Sequence, residues 1–189
     1  MRILDILLGR TRPVPSQLDR LFAISTAYLT LTSDLQLTET GRAGVTFRPI
    51  DSAQFESLDT ELEGVLRISG QETGTAVHTE TDDFGFQWVT LQDTDFQELV
   101  STIHLVSLSL QDKGFAGQLL AAVFKFLDRG EAVYWIYNYK RGSFYPFVPK
   151  GEGRDRDNAL ELRLKAAMEK ELPIEQEMER WYPLWGVPL

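Results

Sequence analysis

Two apolar segments decide the fold: Leu119-Leu120-Ala121-Ala122-Val123-Phe124-Lys125-Phe126-Leu127 and Val133-Tyr134-Trp135-Ile136-Tyr137-Asn138-Tyr139. The short connection Asp128-Arg129-Gly130-Glu131 joins them. β-branched and aromatic side chains dominate the second segment, and both are shorter than an ordinary helix and bounded by turn residues. They read as an antiparallel strand pair. Ala121-Ala122-Val123 lowers the contrast in the first segment, so periodicity alone leaves a helix open there. In a strand, Val133, Trp135, Tyr137 and Tyr139 share one face and Tyr134 and Ile136 the other. Apolar residues on both faces fit a central strand covered on both sides.

The elements on either side extend the pattern. Thr75–Thr81 and Phe86–Leu91 read as a hairpin around Asp82, Asp83 and Gly85. Residues 26–32 and 43–50 read as two more strands, joined through a turn at Thr40–Gly44. Asp51 or Ser52 caps an amphipathic helix through Phe55, Leu58, Leu62, Val65 and Leu66. Asp93 or Thr94 starts the longest helix, which reaches about Lys113 and stops at Gly114. Ser16 caps a helix carrying Leu18, Leu21 and Phe22, and Asp155 or Asp157 caps a last helix with Leu160, Leu164, Ala167 and Met168 inward, ended by Pro173. Strand runs mix with helices rather than alternating with them, so the expected class is α+β, a mostly antiparallel sheet packed against helices. The expected organisation is a short helix and linker over 1–15, a core over 16–149, and a C-terminal helix with an aromatic tail packing on that core over 150–189.

The totals narrow the function classes. The chain has 189 residues, 43% of them hydrophobic and 25% charged, enough for one domain with a core of its own. Its net charge of −9 repels phosphate backbones, which argues against nucleic acid as a partner. There is no cysteine, so disulfide, thiolate and cysteine–zinc chemistry are all ruled out. No apolar run approaches the roughly 20 residues of a membrane span. Met1–Leu8 is too short and too interrupted for a signal peptide, which points to a cytoplasmic protein. Ile3, Leu4, Leu7 and Leu8, flanked by Arg2, Arg10 and Arg12, either dock on the domain itself or touch an anionic membrane face.

The residues that carry chemistry are few. His78 and His104 are the two histidines, and neither has a second histidine at metal-ligand spacing. His104 falls in an apolar helix and reads as a core or boundary residue. His78 lies near Glu80, Asp82 and Asp83, which together read either as a solvated hairpin rim or as a hydrolase-type His–carboxylate site. Asp83-Phe84-Gly85 matches the kinase metal motif by spelling alone, without a glycine-rich loop or catalytic loop around it. No P-loop, nucleophile elbow or dinucleotide fingerprint is present, so the expectation is a non-enzyme without a cofactor.

The unusual feature is aromatic density. Tyr134, Trp135, Tyr137, Tyr139, Phe144, Tyr145 and Phe147 fall within fifteen positions, interrupted by Lys140 and Arg141. Aromatics beside arginine are the composition of interface hot spots. Lys140, Arg141, Phe144, Tyr145, Phe147 and Trp185 are therefore the candidate partner-binding residues, with structural closure of the fold as the rival role for 140–147. Pro146 and Pro149 argue against regular strand pairing there.

Several segments together resemble the PspA-associated protein family of the PspAB type. They are Leu4-Asp5-Ile6-Leu7-Leu8-Gly9-Arg10, Leu18-Asp19-Arg20-Leu21-Phe22-Ala23, Asp82-Asp83-Phe84-Gly85-Phe86-Gln87-Trp88, Lys140-Arg141-Gly142-Ser143-Phe144-Tyr145-Pro146-Phe147, Asp157-Asn158-Ala159-Leu160-Glu161-Leu162 and Trp181-Tyr182-Pro183-Leu184-Trp185-Gly186. The resemblance implies a cytosolic accessory of PspA-type envelope maintenance, with a PspA-like protein or a membrane protease as partner and no catalytic residues to carry over. The central region is also similar to YbjN-like and secretion-chaperone-like domains, an analogy of fold rather than function. A general peptide-holding module is the alternative role.

Overall fold

The structure, a computed structural model, describes residues 18–48, 74–151 and 153–189. The expected helices over 1–15 and 51–66, the Ser16 cap and the contact residues Ile3, Leu4, Leu7 and Leu8 lie outside the described residues. A six-stranded antiparallel sheet organises the rest: β1 Thr38–Phe47, β2 Ala76–Thr81, β3 Gln87–Gln92, β4 Leu119–Asp128, β5 Glu131–Asn138 and β6 Ser143–Phe147, in the order β2-β3-β1-β4-β5-β6. The expected α+β class and the two hairpins hold. The segment at 119–127 is a strand, paired with its neighbour from Ala121↔Asn138 to Asp128↔Glu131. Its Ala-Ala-Val stretch is buried in the sheet, where packing outweighs intrinsic preference.

Register sorts the side chains onto two faces. Phe124, Phe126, Val133, Trp135, Tyr137 and Phe144 share one of them, with Ala43, Val45 and Phe47 of β1. Helix α1 (Ala23–Leu29) and helix α2 (Phe96–Asp112) cover this face. Phe96 of α2 packs its ring against Phe124 and Phe126 at 5.7 and 5.6 Å and stacks on Tyr28 of α1 at 4.7 Å. Leu99, Val100, Ile103, Val106 and Leu110 repeat at helical spacing and are fully buried. Asp95 caps α2 by accepting the Gln97 N–H at 2.8 Å, one or two residues later than the sequence suggests.

Residues 26–32 are helical, correcting the strand expectation. The threonines there fit either period, but Leu18, Leu21, Ile24, Ala27 and Leu31 recur every three or four residues and are buried at 3% or less. A single-turn 3₁₀ segment at Leu18–Phe22 leads into α1, and a π turn at Thr30–Asp34 closes it. The expected turn at Thr40–Gly44 is also corrected. It is a bulge inside β1, with the register shifting between Glu39 and Arg42. Gly41 has φ +67°, and a Cβ there would meet the Asp93 carbonyl oxygen at 2.4 Å, so only glycine fits.

The second face is covered without regular structure. Helix α3 (Asn158–Met168) flanks β6, capped by Asp157, which accepts the Leu160 N–H at 2.9 Å. Its inward row is Glu161, Leu164 and Met168, with Leu160 half-buried; Ala167, expected inward, is exposed, and Pro173 stands beyond the helix end. The chain then crosses the sheet as an extended strap. Trp181 stacks on Tyr145 (6.2 Å), Trp185 meets Phe147 edge-on (5.0 Å), and Leu189 reaches β1. A Cβ on Gly44 would come within 3.3 Å of Leu189 Cδ2 and 3.4 Å of Trp88, so the bare glycine makes room for the strap.

Pro146 does not prevent pairing: β6 pairs with β5 from Tyr134↔Phe147 to Asn138↔Ser143. The Phe144 N–H and C=O bond outward, to Pro173 O and Glu175 N at 2.8 Å each. Pro146, two residues on, faces outward too, so its missing N–H takes nothing from the β5 ladder. Pro149, likewise expected to resist pairing, sits in β7 (Pro149–Lys150), which pairs with β8 (Asp155–Arg156) in a separate two-stranded ladder.

Candidate binding surface at the β5–β6 turn

The turn between β5 and β6 is built by its own main chain. Asn138 O accepts the N–H groups of Arg141 (3.1 Å) and Gly142 (2.8 Å), and its side-chain oxygen accepts Arg141 N–H at 3.2 Å. An Asn at a turn entry satisfies donors that would otherwise be unpaired. The tight closure leaves Lys140 and Arg141 exposed at the tip. Phe144, Tyr145 and Phe147 enter the strand and are 0%, 2% and 0% exposed. The six candidate residues therefore divide. Lys140 and Arg141 face solvent, Trp185 is half-buried on Phe147, and the three aromatics of β6 are core that no partner can reach in this conformation.

Arg141 is anchored at one edge. Its Nε donates to Glu175 Oε2 at 3.0 Å. Glu175 is itself held by the Glu177 N–H at 3.1 Å and by Ser143 Oγ at 3.4 Å. Burial pushes the Glu175 carboxyl up, but the Glu177 N–H, the Arg141 guanidinium and Ser143 outweigh it and hold its pKa below the usual 4.5. Lys140, Arg141, Ser143, Ile174, Glu175 and Gln176 line a shallow depression of about 300 Å³ open to solvent. Arg20 stands beside the turn, its Nη1 at 3.5 Å from Gly142 O. Arg20 and the 174–176 segment carry no local sequence signal for this role, since they come from distant parts of the chain; Ser143 lies within the 140–147 run but is not marked out there by its residue type.

Behind the surface, Glu161 ties three elements together. Completely buried, it accepts the Val148 N–H at 2.8 Å and Arg156 Nε at 2.9 Å. Arg156 also donates from Nη1 to Trp181 O at 2.8 Å and lies over the Phe147 ring, 5.2 Å from its centre. Burial raises the Glu161 pKa, and the Arg156 and Val148 hydrogen bonds counter only part of that.

The other candidate cluster does not gather. Asp82 is spent on its own turn, accepting the N–H groups of Phe84 and Phe86 at 2.9 Å and Trp88 Nε1 at 2.8 Å. His78 is exposed on β2, four residues and roughly 13 Å along the strand from Asp82. Asp83 points into solvent at the hairpin tip. His104 is a boundary residue, packed on Phe22 at 4.7 Å and lying 3.7 Å from the Asp19 carboxylate. Among the described residues no group of three His, Asp or Glu side chains is placed to hold a metal ion, and no helix is long and apolar enough to cross a membrane.

Fold and surface define an α+β protein with a charged turn presented at one end of its sheet. The chain belongs to the family of PspA associated protein B (PspAB), whose model matches residues 1–189. Membership links it to PspA in an accessory role. Comparison with curated protein sequences gives no match.

Proposed function

We propose that this protein is a non-enzymatic adaptor that binds a PspA-like protein in a membrane-stress response. The family match over the whole chain carries the reading, because the family's name associates its members with PspA. The exposed Lys140–Arg141 tip, mounted on a rigid strand pair, supports a protein partner, since hot-spot residues act best from a fixed scaffold. A membrane protease enters as a second member of the same assembly. The test mixes the full chain with the purified PspA-like protein of the same host. A stoichiometric complex by size-exclusion chromatography and calorimetry is expected. No detectable complex at a concentration of about 100 μM, far weaker than specific interfaces of standard size, overturns the reading.

A further inference from the structure

We infer that the depression beside the β5–β6 turn docks an acidic, extended segment of a protein partner, with the Arg141 guanidinium as its carboxylate anchor. The inference rests on the partner-binding reading above and adds the chemistry of the partner.

The first observation is how Arg141 is bonded. Glu175 takes its Nε, and no protein acceptor among the described residues takes either Nη nitrogen. The guanidinium is thus fixed at one edge, while the edge formed by its two Nη groups is open to a carboxylate in the bidentate geometry that arginine favours. Glu175 is nearly buried, held by three donors and kept ionised, so it orients Arg141 without being free to leave. A pre-oriented guanidinium loses less side-chain freedom on binding than a swinging one.

The second observation is charge. The chain carries a net −9, yet the rim of this depression is positive. Among the lining residues Arg141 and Glu175 cancel, leaving Lys140 in excess, with Arg20 beside the turn. Lys140 is exposed and has no acceptor or carboxylate partner among the described residues. The nearby Glu177 is neutralised by Arg180 at 2.7 Å. A local positive field on an acidic protein selects a short acidic segment. An extended polyanion or an anionic bilayer would also meet the negative remainder of the surface. The depression, about 300 Å³, has room for one or two side chains, and Ile174 on its wall suits the methylene stem of a glutamate.

The probe is fluorescein-labelled hexaglutamate, titrated with the full chain and followed by anisotropy. Lys140→Glu is the primary variant because its side chain touches nothing that holds the fold. Arg20→Glu is the second, with circular dichroism confirming that both stay folded. Saturable binding that weakens about tenfold in Lys140→Glu and falls with salt is expected. Absence of hexaglutamate binding, or equal binding by wild type and Lys140→Glu, overturns the inference. So does Lys140-dependent binding to phosphatidylglycerol vesicles in place of the peptide, which would make this a membrane contact. A PspA-like complex that persists unchanged in Lys140→Glu removes this site while leaving the adaptor reading intact. Hexaglutamate binding without any PspA-like complex does the reverse.

Discussion

The two faces of the sheet bury similar aromatic side chains by different means. On one, α1 and α2 satisfy their own backbone groups, and side-chain packing joins them to the sheet, with two polar contacts beside it, Tyr28 to Glu39 and Ser107 to Tyr139. On the other, the strap over residues 181–189 has no regular hydrogen bonding, so other parts of the molecule must supply its partners. Tyr145 Oη donates to Tyr182 O (2.9 Å), Arg156 to Trp181 O, Lys125 Nζ to the Leu189 main-chain oxygen (2.6 Å), and Trp181 Nε1 to Glu175 O (3.0 Å). Burial gives both faces their stability. The strapped face depends more heavily on individual polar side chains, because its main chain relies on them for partners, and each can be removed singly.

Mutations test that contrast in descending order. Trp135→Ala on the helix-covered face should cost about 3–5 kcal/mol, seen as a lower urea midpoint of the whole domain. Glu161→Ala should cost about 3 kcal/mol, because Arg156 would lose its carboxylate and Val148 its N–H acceptor in a buried place. A loss under about 1 kcal/mol would mean that the interlock is incidental. Tyr145→Phe should cost about 1 kcal/mol, with faster hydrogen exchange confined to the strap. Uniformly faster exchange would show that the two faces open together.

The smallest effect is on pH dependence. Glu175 has a lowered pKa, so its contribution is present above the usual 4.5 and lost as pH falls through its folded value. Glu39, which accepts the Tyr28 hydroxyl beside the helix-covered face, is raised by burial. That hydrogen bond opposes the shift, while the nearby Asp95 and Asp93 add to it. Its contribution is present below 4.5 and lost as pH rises through its folded value. Unfolding midpoints measured from pH 7 to pH 3.5 should show Glu175→Gln losing less stability below pH 4.5 than wild type does. Glu39→Gln should lack the wild-type gain on acidification from neutral pH.

The contrast also explains what could be read from the sequence. The pairing of 119–127 with 133–139, the hairpin at 75–91, the long helix to Lys113 and the Asp157 cap were all legible, because each repeats a period or carries a local signal. The helix at 23–29 was hidden because Thr26, with Thr30 and Thr32 just beyond it, suits a strand equally well, and because its buried row starts earlier, at Leu18. Glu161 was missed as an inward residue because its partners, Val148 and Arg156, are set by tertiary packing. Of the candidate surface, Lys140 and Arg141 were visible as an interruption of the aromatic run. The aromatics around them could not be assigned, since a core strand and a hot spot share the same composition. The strap has no period at all, so its path across the sheet had no sequence signature beyond its tryptophans.

The outward-facing proline of β6 also bears on how copies of this protein can associate. The β6 edge carries a residue without an N–H, and Pro173–Glu175 already occupy the adjacent backbone groups. A ribbon of molecules joined sheet edge to sheet edge needs two receptive edges on every copy. This sheet has at most one, at β2, so pairing of that kind would close on itself as a two-fold dimer and could not propagate into a fibre.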